Sequence, residues 1–151
     1  MKEDIMGKRG RAPPGSMRMK KSRTKRVIGV VETVTVKGKT GKVTVLAKID
    51  TGASRTTVDT GIAARIGLGP ILDTVRIRVP TSRHAETRPL VDADLIIAGE
   101  EFDIAVAVTS RREMKYRVII GMDILGLGKF LVNPAKGARA NEIANGVEKS
   151  P

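Results

Sequence analysis

The chain has 151 residues, no cysteine, a single histidine and a formal charge of +12. That length suits one domain, and the lack of cysteine excludes disulfides, thiolate nucleophiles and cysteine-ligated zinc or iron–sulfur sites. No apolar run approaches the ~20 residues of a membrane-spanning helix, and the basic N-terminus lacks the apolar core of a signal peptide, so a cytoplasmic protein without membrane contact is expected.

The charge is unevenly placed. Residues 1–26 carry ten Lys and Arg against only Glu3 and Asp4, whereas the rest of the chain carries eighteen basic and fourteen acidic residues. Residues 1–25 mix these charges with Gly7, Gly10, Pro13, Pro14 and Gly15. Such a segment buries too little apolar surface to offset its ordering entropy, so a disordered tail is expected. Its charge suits non-specific contact with RNA, ribosomes or another polyanion, and a merely solvated extension is the competing reading. The only aromatic residues are Phe102, Tyr116 and Phe130. None lies in the tail, which argues against base-stacking recognition there.

Val27 to Val36 is β-branched and partly alternating and reads as a strand. Lys37 to Gly41 is a turn, and Lys42 to Ile49 the returning strand. Gly38-Lys39-Thr40 is not a phosphate-binding loop, because Thr33 stands where the first glycine is needed and a strand follows. After Asp50-Thr51-Gly52-Ala53-Ser54, Arg55 to Val58 is strand-like again. Asp59 is placed to cap a short helix through Ile66, with Gly67 as its C-terminal stop and Pro70 preventing continuation.

Ile71 to Val79 alternates, Pro80 to Glu86 is a polar turn, and Arg88 to Ala98 with Phe102 to Thr109 forms a hairpin about Gly99-Glu100. Ser110 to Lys115 is a charged connection. Tyr116 to Ile120 reads as a buried strand, followed by Gly121 and a short helix with Asp123 in its first turn. Lys129 to Pro134 is a closing strand, and Met114 and Met122 are expected to pack. The total is about seven to nine short strands with one or two short helices, an all-β, closed-barrel domain. The expected division is a basic tail over 1–25, a domain over 26–135 and a flexible C-terminal tail over 136–151.

Two motifs stand out in order. One is an apolar strand ending in Asp50-Thr51-Gly52-Ala53-Ser54. The other is Val118-Ile119-Ile120-Gly121 leading into Met122-Asp123-Ile124-Leu125. The pair resembles the retropepsin-like aspartic peptidases (the acid protease fold) over roughly residues 27–134. Ala47 to Ala53, Arg88 to Val91, Ser110 to Met114 and Phe130 to Pro134 are also similar to a family labelled ATP-dependent zinc proteases, whose members are retropepsin-like and associate with ATP-grasp glutamate ligases. That resemblance implies an aspartyl protease acting on peptides, glutamate-rich ones among them, with a ligase or ribosomal partner. The zinc of the label has no ligand set here: His84 is the only histidine and there is no His-Glu-x-x-His helix. No ATP motif is present either, and no cofactor is expected.

Aspartic peptidase chemistry needs two carboxylates sharing one proton, one activating water and one protonating the developing oxyanion. One motif per chain therefore implies a homodimer, with Asp50 of each copy on the two-fold axis. In that arrangement Thr51 holds the facing loop, Gly52 permits the turn, Ala53 and Ser54 complete the loop, and Ile120 and Gly121 form the supporting second motif. Ser54 and Arg55 are candidates to contact substrate or the Asp50 pair.

Arg55, Arg83 and Arg88, with Arg76, Arg78, Arg111 and Arg112, are candidates to line a groove for an acidic peptide, since guanidinium pairs bidentately with carboxylate. The flap over the site would be Arg78 to Arg88, which has no glycine, unlike the mobile flaps of retroviral members. Asp59 and Asp123 lack the strand-turn-glycine context and read as helix-start residues. Three alternatives stand beside catalysis: a strand-to-turn corner with a local side-chain bond, a non-catalytic dimeric binding module, and a polyanion binder acting through the tail.

Overall fold

The structure, a computed structural model, describes residues 25–78, 80 and 83–137. The basic tail over 1–24 and most of the C-terminal tail lie outside the described residues. In chain order the elements are β1 (Val27–Ile28), β2 (Val31–Lys37), β3 (Lys42–Ile49), β4 (Thr57–Asp59), α1 (Thr60–Ile66), β5 (Ile71–Arg78), β6 (Ala85–Ile97), β7 (Glu100–Thr109), β8 (Val118–Ile120), α2 (Met122–Leu127) and β9 (Leu131–Val132).

The main sheet runs β2-β3-β8-β4-β7-β6-β5, and β2 also pairs with β6. That extra pairing closes six strands into a barrel and leaves β5 as an outer strand. Among the described residues this is an all-β closed barrel with two short helices. Alternation along the strands fills the interior: Val34 and Val36 from β2, Ala47 and Ile49 from β3, and Val91, Ala93, Leu95 and Ile97 from β6 are all buried. Each projects to the same side as the residue two positions away, as the pleat requires.

The expected single strand over Val27 to Val36 is split in two. At Gly29 the chain passes so close to the backbone of Lys136 that a β-carbon would lie 2.2 Å from its carbonyl oxygen. Val30 N–H then donates to that same oxygen at 2.8 Å. The segment after Ala135 is therefore bonded to the barrel as far as Lys136. The closing strand is shorter than the pattern suggests, and β9 pairs in parallel with β1 through Leu131↔Val27 and Val132↔Ile28.

Two predicted punctuations take the expected form. Asp59 caps α1 by accepting Gly61 N–H at 3.0 Å, and Gly67 ends it in the left-handed region at φ 73°. The β6–β7 turn falls one residue earlier than the sequence suggests, on Ala98 and Gly99, whose φ values of 51° and 79° suit the twist of a tight hairpin.

The topology brings the two motifs together. β8 lies between β3 and β4, parallel to the first through Ile49↔Ile120 and antiparallel to the second through Val58↔Val118. The C-terminal ends of β3 and β8 therefore emerge side by side. One delivers Asp50 and the other Gly121.

Candidate active site

Asp50 leaves β3 with its backbone fixed. Its N–H donates to Ile120 O at 2.9 Å, and its own carbonyl accepts Ala53 N–H at 3.1 Å. The carboxylate oxygen Oδ1 accepts Gly52 N–H at 2.9 Å. That is the local turn bond expected of a simple corner, yet here it also orients the carboxylate, which is half-buried while Thr51 and Gly52 beside it are exposed.

The second motif supports the loop from behind. Met122 N–H donates to Ala53 O at 2.8 Å and Asp123 N–H to Ser54 O at 3.2 Å. Gly121 is required for this approach: a β-carbon there would lie 2.7 Å from Arg55 C and 2.9 Å from Ala53 O. Those are backbone atoms of the Asp50 loop, which have no room to give way.

Asp123 is not chiefly a helix cap. The position before α2 is Gly121, with no side-chain cap bond. Asp123 does accept Ile124 N–H at 2.8 Å, but its carboxylate also reaches back to Thr56. It accepts Thr56 N–H at 3.1 and 2.9 Å and the Thr56 hydroxyl at 2.8 Å. The hydroxyl oxygen of Thr56 in turn accepts Gly121 N–H at 3.1 Å. Thr56 is fully buried, and sequence reading missed it. Nothing in its local pattern marks it, because its partners lie 65 and 67 residues away.

Asp59 likewise does more than cap α1. It is 2% exposed. Besides Gly61, its carboxylate accepts Arg111 N–H at 2.6 Å and the Arg117 guanidinium at 3.0 Å. Burial alone would raise its pKa. The Arg111 N–H, the Arg117 guanidinium and the Gly61 N–H outweigh that and hold it below the ordinary carboxylate value.

A cleft of about 600 Å³ opens over Asp50 and is lined by Arg55, Arg76, Arg78, Arg88 and Arg111 among others. Among the described residues of its lining, Asp50 is the only acidic one. Of the predicted substrate-contacting residues, Arg55 and Arg88 lie in this cleft, whereas Arg83 is exposed in the bend before β6 and outside the lining. Arg112 is exposed and also outside it. Residues 79, 81 and 82 of the expected flap lie outside the described residues.

Arg88 donates through Nε and Nη2 to Glu86 Oε1 at 3.2 and 2.9 Å. Met114 and Met122, expected to pack, are 55% and 47% exposed. Met114 lies in a bend of the connection before β8, and Met122 is the first residue of the short α2. Among the described residues no group of three or more His, Cys, Asp or Glu side chains is disposed to hold a metal ion. No helix among them is long and apolar enough to cross a membrane.

The family model described as aspartyl protease matches residues 31–124. It spans both motifs and most of the barrel, and the chain belongs to the aspartyl protease family. Among solved structures, a Legionella pneumophila protein of unknown function is 22% identical with a TM-score of 0.50, over 74% of this chain and 95% of that one. The EIAV protease in complex with an inhibitor is 14% identical with a TM-score of 0.51, over 68% of this chain and 90% of that one. At these identities the likeness establishes the retropepsin-like fold. None of the curated proteins compared matches the chain.

Proposed function

We propose that this aspartyl protease family member is a homodimeric endopeptidase that cuts acidic peptides, glutamate-rich segments among them, with the two Asp50 carboxylates of the dimer. The observation that carries the reading is the placement of Asp50. It is a carboxylate fixed by its own loop in a cleft whose lining includes five arginines beside apolar residues such as Val75, Ile77 and Ile119.

Two such carboxylates about 3 Å apart cannot both ionise and share one proton. The ionised member takes a proton from a water as its oxygen attacks the scissile carbonyl carbon. The protonated member gives its proton to the carbonyl oxygen, forming the neutral gem-diol. Collapse of that intermediate breaks the C–N bond as the amine is protonated, and the shared proton is restored. In the proposed dimer Thr51 and Gly52, exposed in the single chain, meet the partner's loop.

Support for the dimer comes from apolar side chains left in water. Met122 and Leu127 of α2 are 47% and 65% exposed, and Val27 and Leu131, register partners on β1 and β9, are each 51% exposed. Support for acidic substrates comes from the arginines among the residues lining the cleft, of which Arg55, Arg76 and Arg78 have no ion pair among the described residues.

The test is Asp50→Asn. Hydrolysis of acidic peptides should fall by about a hundred- to ten-thousand-fold, with the dimer and its thermal transition retained. Undiminished cleavage in that variant rules the mechanism out. The alternative, a non-catalytic dimeric module that binds a ligase or ribosomal partner through its basic surfaces, draws on the same arginines. It requires that the unaltered protein cut no peptide and that Asp50→Asn leave partner binding intact. The reading assigns no role to zinc or ATP, and contact of the basic tail with polyanions is independent of it.

A further inference from the structure

Arg111 differs from the other arginines of the cleft. Its side chain is held on one side only. Nε donates to Tyr116 O at 2.8 Å, while no acceptor among the described residues bonds its two terminal nitrogens. Its backbone is held too, since Arg111 N–H donates to the buried carboxylate of Asp59 at 2.6 Å. Arg117, which donates to the other oxygen of that carboxylate at 3.0 Å, ties the far end of the same connection. Asp59 thus clamps the 110–117 segment at both ends against β4.

This arrangement aims a partly desolvated cation at the cleft. Burial depresses the pKa of Arg111, the neighbouring charge of Arg88 depresses it further, and Asp50 and Asp59 oppose both. Arg88 has a carboxylate of its own in Glu86, and Asp59 is occupied by Arg117 and two backbone donors. A half-buried guanidinium with free terminal N–H groups and a like charge beside it is unfavourable alone. It becomes favourable when a carboxylate enters and accepts the two parallel N–H groups.

We infer that Arg111 is the specificity-determining residue of this cleft, binding a carboxylate of the peptide close to Asp50, and that Asp59 is the positioning residue that holds it there. The inference rests on the cleft being a peptide site and names the group that selects within it. The carboxylate has two sources, an internal acidic side chain or the peptide's own C-terminus. Both offer the same two oxygens.

The experiment uses the full chain carrying Asp50→Asn, so that binding is read without turnover. The probes are an N-acetylated, C-amidated octapeptide of neutral residues with one Glu walked through its positions, the same set with Gln, and the Gln peptide with a free C-terminal carboxylate. Affinities are measured by calorimetry at fixed ionic strength. A carboxylate peptide should bind more tightly than its neutral counterpart, and Arg111→Met should reduce that ratio by about thirtyfold or more. Loss of the ratio for the internal Glu peptides identifies a side-chain carboxylate, and loss for the free-terminus peptide identifies the C-terminus; either result supports the role of Arg111.

Arg111→Lys keeps the charge but neither the bond to Tyr116 O nor the bidentate fork, and should lie between the two. Asp59→Asn should reduce the same ratio, and in an Arg111→Met background it should reduce it no further, since it acts through Arg111. General loosening would weaken the Glu and Gln peptides alike and leave the ratio unmoved. A ratio unchanged by Arg111→Met overturns the inference, as does the absence of any carboxylate preference in the parent. If Asp59→Asn does not fold, the two Arg111 variants still decide. Peptide cleavage by the protein with Asp50 intact is scored separately. Hydrolysis with an Arg111-independent ratio refutes this inference alone, and an Arg111-dependent ratio without hydrolysis refutes the peptidase reading alone.

Discussion

The Asp123 carboxylate and Thr56 face one another with all the donors of Thr56 turned to it, the N–H at 2.9 and 3.1 Å and the hydroxyl at 2.8 Å. Because Thr56 Oγ1 also accepts Gly121 N–H at 3.1 Å, one hydroxyl joins the far end of the Asp50 loop to the start of α2. Thr56 is fully buried, so water cannot replace what is removed there.

Thr56→Val keeps the branched shape and removes that hydroxyl. Gly121 N–H loses its acceptor and Asp123 one donor, at a cost of about 1–3 kcal/mol. The variant should melt several degrees lower. On the proposed peptidase reading, its peptide hydrolysis, measured well below that transition, should fall further than the small unfolded fraction explains, because the Asp50 loop has lost its rear support. A variant that melts lower but retains full activity would show that the tie stabilises the barrel without positioning Asp50.

Gly121 and Gly126 give a paired comparison within six residues of chain. A β-carbon on Gly121 would meet backbone atoms of Arg55 and Ala53 at 2.7 to 2.9 Å, whereas one on Gly126 meets nothing within 4 Å. Gly121→Ala should destabilise by about 1–3 kcal/mol or more through forced displacement of the Asp50 loop. Gly126→Ala, in the helix, should stabilise by about 0.4–1 kcal/mol by limiting the unfolded chain. Urea denaturation of the two variants checks the sign of each, and equal effects would mean that the close approach at Gly121 is not maintained in solution.

How far these relationships were legible in the sequence differs by range. Strand alternation marked the barrel strands, because one face of each is apolar, and Asp50 and Gly121 announced themselves through strand–turn–glycine order. Asp59 was readable as a cap, because its partner Gly61 is two residues away. Its bonds to Arg111 and Arg117, 52 and 58 residues distant, exist only once β4, β7 and β8 are side by side. The same holds for Thr56 and Asp123. The break at Gly29 was invisible for a related reason, since it is made by Lys136 from the other end of the chain. Met114 and Met122 were misread because an apolar side chain in a bend or at the start of a short helix does not reveal which way it faces.

Asp59 makes stability depend on pH in a defined window. Its carboxyl is held below the ordinary value of 3.8. Burial works against that, and the bonds from Arg111, Arg117 and Gly61 exceed it. A carboxylate with a depressed folded-state pKa contributes stability that is full above the unfolded value. The contribution is lost as pH falls through the folded value. Asp59→Asn should therefore cost about 1–3 kcal/mol near neutral pH, with the Arg117 share reduced because that side chain is 46% exposed and screened. The difference between the variant and the parent should stay level down to about pH 4–5 and narrow below it. Chemical denaturation across that range measures it, and a difference that does not change with pH would show that the carboxylate's charge is not what Asp59 contributes.

Met122 offers a way to separate assembly from folding. Its N–H supports the loop by donating to Ala53 O at 2.8 Å, a bond that any residue other than proline retains. Its side chain is 47% exposed, so a charged replacement loses little in the single chain. If the proposed dimer covers this exposed side chain together with Leu127 of the same helix, an uncompensated cation there would be desolvated in the interface. Met122→Arg should therefore leave the thermal transition of the barrel nearly unchanged at low protein concentration. Sedimentation should show single chains, and peptide hydrolysis should disappear because no second Asp50 is supplied. Loss of hydrolysis with the dimer intact would place Met122 in substrate binding instead, and a fully active dimer would move the interface away from α2.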